Sequence, residues 1–300
     1  MAKQHAGYDG RSRLLTSAGI ASVSVAVTLI GLKLWAWWTT HSVALLSSFA
    51  DSMLDLVASL ITLFALRFAM TPADAEHRFG HGKSEALAGV AQSVFILASA
   101  AFVGWRVVER FINPLALDEP EVGFLVVAIS FVLTTALVLF QAWVVRHTGS
   151  LAVKADAAHY RADLLTTIAL AGALYFSTQL GWLYADPIFG SIVVFLILAS
   201  VREILANALR DLLDHELPEN DREAIEVIAL AHQSVLGVHD IRTRSSGADQ
   251  FIQFHLELDS QLTLEQAHAI SDEVEAQVRA TYPAAEVLIH ADPTGNENGD

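Results

Sequence analysis

Six apolar stretches, most of them reaching the roughly 20 residues that a bilayer-spanning helix needs, occupy the chain as far as Val201. They run from Leu14 to Trp38, Ser42 to Phe68, Ala86 to Val108, Val122 to Val145, Leu164 to Leu180 with a polar lead-in from Ser150, and Leu183 to Val201. With 53% apolar residues and a mean hydropathy of +0.44, the chain is too apolar for an ordinary soluble domain of its size. The first stretch is too long for a signal-peptide core and is kept as a span. Backbone polar groups in hydrocarbon must be satisfied within the chain, so the expected fold is a six-helix transmembrane bundle. Asp156, Arg161 and Asp186 interrupt the fifth and sixth stretches, as suits helices that face a water-filled cavity.

Inside these stretches stand two pairs of ligand-type residues, Asp51 with Asp55 and His159 with Asp163. Spacing of i, i+4 puts both members of a pair on one helix face, one turn apart, so two facing helices could offer four metal ligands. A carboxylate at the bilayer centre costs roughly 2.5 to 3.5 kcal/mol on insertion scales, and a divalent cation is the economical compensation. The alternative is that these groups only pair with one another or with Lys33 to pack the helices. The chain contains no cysteine, which excludes thiolate ligands and disulfides. Oxygen and imidazole donors suit zinc, cadmium, manganese or ferrous iron, and four of them suit tetrahedral zinc best.

Basic residues orient the bundle. Lys3, Arg11 and Arg13 precede the first span, Arg67, Arg78 and Lys83 flank the second loop, and Arg146 and Lys154 flank the fourth. The loop around Thr39 to His41 and the one near Leu180 have none, while the third has Arg106 and Arg110. The positive-inside rule then places both termini in the cytoplasm. A net charge of −15 argues against nucleic acid as a partner and favours local enrichment of cations.

From about Leu209 the pattern becomes mixed and acidic. Residues 1–13 are expected as an N-terminal tail, 14–208 as the transmembrane domain, 209–294 as a cytoplasmic α/β domain and 295–300 as a polar tail. Within that domain, Leu217 to Ala231 and the segment from Thr263 to near Thr281 predict helices, with Thr263 as N-cap. Val238 to Arg244, Phe251 to Leu258 and Glu286 to Ala291 predict strands, the first two joined by a turn at Ser245 to Ala248. Alternation sends Ile252, Phe254, Leu256 and Leu258 to one face of the middle strand and His255 to the other, and gives His290 and Asp292 a common face.

Two further clusters could bind metal. Asp74, His77 and His81 lie within eight residues of the loop from Thr71 to Lys83, close enough to hold one ion with a water, although loop histidines are commonly just solvated. The same loop ends in Gly82-Lys83-Ser84, but His77 stands where a phosphate-binding loop needs glycine, so no ATP site is expected. In the soluble domain His239, His255, His268, His290 and Asp292 supply the second cluster.

The two i, i+4 pairs, the six spans and the α/β tail together resemble the cation diffusion facilitator family, in particular its bacterial zinc and ferrous-iron efflux branch. The resemblance extends from about Leu14 to Pro293. It implies a metallochaperone-like, ferredoxin-like tail domain and a homodimer in the bacterial inner membrane. It further implies that Asp51, Asp55, His159 and Asp163 form the transport site, with Asp74, His77 and His81 as a weaker loop site. His239, His255, His268, His290 and Asp292 would form a two-metal regulatory site with Asp292 bridging. Lys83 and Asp214 resemble the family's charge interlock at the dimer interface; otherwise they are an ordinary surface pair or do not meet. Members selective for manganese carry Asn in place of Asp51, so the resemblance implies zinc, with cadmium or iron secondary.

The expected activity is zinc export in exchange for protons, since metal and proton compete for the same deprotonated ligands. His159 has the reference pKa nearest neutrality, about 6.5, against about 4 for the carboxylates. Zinc is expected as substrate and as a bound structural or regulatory ion, with no organic cofactor. A metal sensor or passive divalent-cation channel is the alternative. An intramembrane metalloprotease is disfavoured, because no His-Glu-x-x-His segment is present and four ligands leave no open position.

Overall fold

A computed structural model describes the backbone of residues 2–40, 43–113 and 121–295, with side chains for 10–39, 48–113 and 125–295 except Thr178. His41, Ser42, the segment 114–120 and the polar tail beyond Gly295 lie outside the described residues, as does the side chain of Lys3. The chain divides into two compact units, Met1–Leu209 and Arg210–Asp300.

The first unit is helical: α1 Ala2–Thr40, α2 Val43–Ala69, α3 Ser84–Ile112, α4 Glu121–Thr148, α5 Leu151–Leu180 and α6 Ala185–Leu212, whose last turn belongs to the second unit. Helix α1 begins at Ala2, ahead of the apolar stretch from Leu14, so its first turns are helical and polar. Among the described residues, α1, α2, α3, α4 and α6 are long and apolar enough to cross a membrane. Helix α5 is 30 residues long but carries Lys154, Asp156, Arg161 and Asp163. It serves as the sixth member of the bundle because it is interior, in contact with α1, α2, α3 and α4.

Two features of its sequence permit that position. Ser150 caps its N-terminus by accepting the Val153 backbone N–H, and Gly181 ends it in the left-handed conformation at φ 64°. Between the caps, Ala152, Ala155, Ala157, Ala158, Ala162, Ala169 and Ala173 are all buried. Small side chains let backbones approach closely where lipid supplies no hydrophobic driving force.

The second unit has α7 Glu219–Leu230, β1 Gly237–Ser246, β2 Asp249–Leu258, α8 Leu264–Thr281 and β3 Ala285–Pro293. The sheet order is β1-β2-β3, with β1 antiparallel and β3 parallel to β2. Gly247, at φ 64°, takes the first position of the two-residue β1–β2 turn, where a side chain would be strained. Ile252, Phe254, Leu256 and Leu258 point into a core shared with Ile225 and Ala229 of α7 and Val274 and Val278 of α8. Thr263 closes a capping box with Gln266 at the start of α8. Both helices cover one face of the sheet, which leaves the other for polar side chains.

Phe254→Ala should cost the excised module about 3 to 5 kcal/mol by emptying this core, and Thr263→Ala about 1 kcal/mol by removing the cap. Urea titrations of residues 210–300 followed by circular dichroism measure both; equal effects would contradict the packing described.

Candidate metal centres

The intramembrane site forms where α2 faces α5. Asp156, His159, Tyr160 and Asp163 of α5 fall on one face of the helix. His159 is buried, and its Nε2 lies 3.0 Å from Asp55 Oδ1 and 4.0 Å from Asp163 Oδ2. Asp55, His159 and Asp163 each present a ligand atom within 4.8 Å of the others, a spacing that one ion could close. The structure thus brings three of the four expected ligands together. Asp51, one turn earlier on α2 and exposed, stands outside the group. Lys33 of α1 donates from Nζ to Ser48 O at 3.1 Å and Ser52 Oγ at 2.7 Å, on the α2 turns around Asp51.

The loop cluster is built around Asp74. Its Oδ1 accepts the backbone N–H groups of Glu76 at 2.9 Å and His77 at 2.6 Å, a turn that folds the loop back on itself. These bonds, that from His77 above all, hold the Asp74 carboxyl below the usual carboxylate range. His77 Nδ1 lies 3.4 Å and His81 Nε2 3.3 Å from the same carboxylate. Because a carbonyl only accepts, the 3.1 Å contact between His81 Nδ1 and Thr71 O fixes the proton on Nδ1 and leaves the Nε2 lone pair for a metal.

In the second unit the strands carry His239, His255 and His290 in one register row. Their rings form a ladder across the open face, with centroids 5.0 Å and 4.7 Å apart. Asp292 joins all three: its Oδ2 lies 3.5 Å from His239 Nε2 and 2.7 Å from His255 Nδ1, and its Oδ1 3.1 Å from His290 Nε2. His239, His255 and Asp292 have ligand atoms mutually within 4.8 Å. His268 is not brought to this group. It sits on α8 with a 75% exposed side chain, 3.6 Å from Asp272 one turn on.

Lys83 occupies the N-cap of α3, and Asp214, with φ 53°, pairs with Arg244 at 3.4 Å in the second unit.

A sequence profile for a cation efflux transmembrane domain matches residues 19–213, and one for a cation efflux protein's cytoplasmic domain matches residues 217–294. The chain belongs to the cation efflux family. Curated relatives named cation-efflux pump FieF, from Pectobacterium atrosepticum and Klebsiella pneumoniae, are 43% identical over 282 residues, covering 94% of this chain and 94% of each relative. The counterpart from Escherichia fergusonii is 42% identical over 281 residues, 94% of this chain and 93% of its own. Of solved structures, one described as a putative zinc transporter CzrB is 32% identical over 26% of this chain and 99% of its own, with a TM-score of 0.26. This cation efflux protein is accordingly a multi-pass membrane protein whose helical domain precedes a small α/β domain.

Sequence reasoning missed two carboxylates beside the imidazole ladder. Glu257 Oε1 lies 3.7 Å from His239 Nε2, and Asp240 Oδ2 lies 3.7 Å from His255 Nε2. Asp240 enters through a bulge between His239 and Arg242, where it adopts φ 49°. Strict alternation would turn it to the covered face; Asp next to a histidine was the available signal, since Asp tolerates the left-handed region. Arg242 donates to Asp240 at 2.9 Å and holds its carboxyl below the usual range.

Asp292→Asn should weaken zinc binding to the excised module at least about tenfold, since it alters the one carboxylate shared by three imidazoles. Glu286→Gln, six residues away on the same strand, serves as control in the calorimetric titration. For the loop, a lowered carboxyl value means that the contribution of Asp74 to order is complete above the unfolded value of about 4 and disappears only as pH falls through the folded value. Amide protection at Glu76 and His77 should therefore stay flat from about pH 8 to 5 and fall below about 4, and Asp74→Asn should remove it throughout.

Proposed function

We propose that this cation efflux protein exports zinc from the cytoplasm across the bacterial inner membrane in exchange for protons, with cadmium or ferrous iron as secondary ions. The convergence of Asp55, His159 and Asp163 inside the helical bundle carries this reading. Two carboxylates and an imidazole are a hard-to-borderline donor set that suits zinc, and the absence of cysteine keeps thiolate out of the choice. Asp51 is the fourth ligand in this scheme, delivered when α2 moves relative to α5.

Proton coupling follows from the donors themselves. Each ligand binds a metal only when deprotonated, so an ion arriving from the cytoplasm releases protons and protons arriving from the far side release the ion. The basic flanks of the even-numbered loops support cytoplasmic termini.

The soluble domain is assigned regulation. His239, His255, His290 and Asp292 bind zinc on the open sheet face, and a second copy of the chain completes the arrangement. A role for His268 at that site requires such a copy, because within one module it lies on a helix of the covered face. Lys83 and Asp214 are the residues through which metal at the tail would act on the bundle. The loop cluster of Asp74, His77 and His81 binds an additional, weaker ion.

Proteoliposomes with an imposed pH gradient and a zinc-sensitive dye test the central reading. Zinc flux should follow the gradient in the wild type and fall to the empty-vesicle level in His159→Ala and Asp51→Ala. Flux that ignores the gradient would identify a channel, absence of flux a sensor, and full activity in both variants would remove the assigned transport site.

A further inference from the structure

One buried acid in the bundle takes no part in the proposed ligand set. Asp156 is 1% exposed and lies one turn before His159 on α5. Its Oδ2 accepts Ser22 Oγ of α1 at 2.5 Å and Gln141 Nε2 of α4 at 2.6 Å, and its Oδ1 accepts Gln92 Nε2 of α3 at 3.2 Å. Gln92 Nε2 also donates to Ala58 O at 3.0 Å and Thr62 Oγ1 at 2.8 Å on α2. Through these contacts a single carboxylate ties α5 to α1, α3 and α4 directly and to α2 through Gln92.

The network is donor-rich around Asp156 at a cost elsewhere. Gln92 Oε1 and Gln141 Oε1 are both buried with no hydrogen-bond partner. Both amide nitrogens are committed, that of Gln92 to Ala58 O, an atom that only accepts, and neither amide can turn without losing those bonds. An asparagine at 156 would turn one of these acceptors into a donor facing Gln92 Nε2, or facing Ser22 Oγ and Gln141 Nε2, so the donors converging here are matched to a carboxylate, which only accepts.

The charged and titratable groups that face Asp156 are few. His159 and Tyr160 lie on its own helix and Asp55 on α2, whereas among the described residues α1, α3 and α4 present the uncharged Ser22, Gln92 and Gln141. Its hydrogen bonds also reach the site: Ser22 O accepts from Tyr160 OH at 3.4 Å, and that hydroxyl lies 2.8 Å from Ser59 Oγ, one turn beyond Asp55.

We propose that Asp156 is a positioning residue for the transport site. It locks the α5 turn that carries His159 against four helices, and its carboxylate raises the affinity of the site for both cargo cation and proton. It contacts neither ion. In a low-dielectric interior a hydrogen-bonded carboxylate one turn away acts on a dication through space without ligating it. The inference rests on the reading of Asp55, His159 and Asp163 as that site.

Asp156→Asn in the full-length, detergent-solubilised protein tests it, with zinc affinity measured by competition against a chelating dye from about pH 5.5 to 8 and thermal unfolding measured without metal. The expected result is an unfolding temperature below the wild type, zinc affinity at high pH weaker by on the order of tenfold, and the onset of proton competition moved to lower pH. Asp156→Glu, which restores the carboxylate, should bring back the wild-type onset of competition. Unchanged affinity and pH profile, or a loss of stability with the profile intact, would overturn the proposal and leave Asp156 a packing residue. Zinc binding absent from the wild-type bundle, with the tail ligands replaced, would instead overturn the transport-site reading.

Discussion

Polar groups placed among lipid-crossing helices must find their partners inside the protein, and the arrangement of the bundle follows from where those groups lie. Helix α5 carries Lys154, Asp156, Arg161 and Asp163 along with His159, more charge than lipid tolerates on an outer helix. It therefore occupies the interior, and the other helices are arranged to serve it. Ser22 and Gln141 reach Asp156 from α1 and α4, Gln92 from α3, and Asp55 meets His159 from α2. The alanines of α5 make this geometry possible, because bulkier side chains would hold the neighbouring helices too far off for such short side chains to meet.

The soluble module uses the same residue types under a different constraint. Its stability comes from the apolar layer between the sheet and helices α7 and α8, and the ladder of His239, His255 and His290 lies on the opposite, water-accessible face. Imidazoles there carry little desolvation cost, and a change among them leaves the apolar layer untouched. In the bundle the buried polar groups themselves hold the helices together, so a change at His159 or Asp156 alters how helices pack.

Much of this was legible in the residues. The i, i+4 spacing puts Asp51 with Asp55 and His159 with Asp163 each on one helix face, of which Asp55, His159 and Asp163 come together, and alternation in β2 and β3 separates the core face from the imidazole face. The helix of α8 and its cap at Thr263 were equally plain. What escaped had physical reasons. The start of α1 at Ala2 is hidden because its first turns are polar, so hydropathy marks where lipid begins and not where the helix does. Asp240 was concealed by a bulge, which breaks the period on which strand reading depends. Asp156 could be seen as an interruption in the fifth span, but its partners Ser22, Gln92 and Gln141 are scattered across three other helices, and no local pattern links them. His268 shared only a residue type with the tail cluster; its place on α8 separates it from the ladder.

The position of Asp51 bears on how such a site can work at all. A zinc ion held by four fixed protein ligands is a structural ion, bound too tightly to be carried. A transporter needs two states that differ in affinity, and the energy separating them must come from differential contacts with the ion. In the arrangement described, Asp55, His159 and Asp163 converge while Asp51, on the same face of α2 and one turn away, does not. Lys33 of α1 bonds to Ser48 and Ser52 on the α2 turns that flank Asp51, so a third helix is tied to the segment where the fourth expected ligand stands.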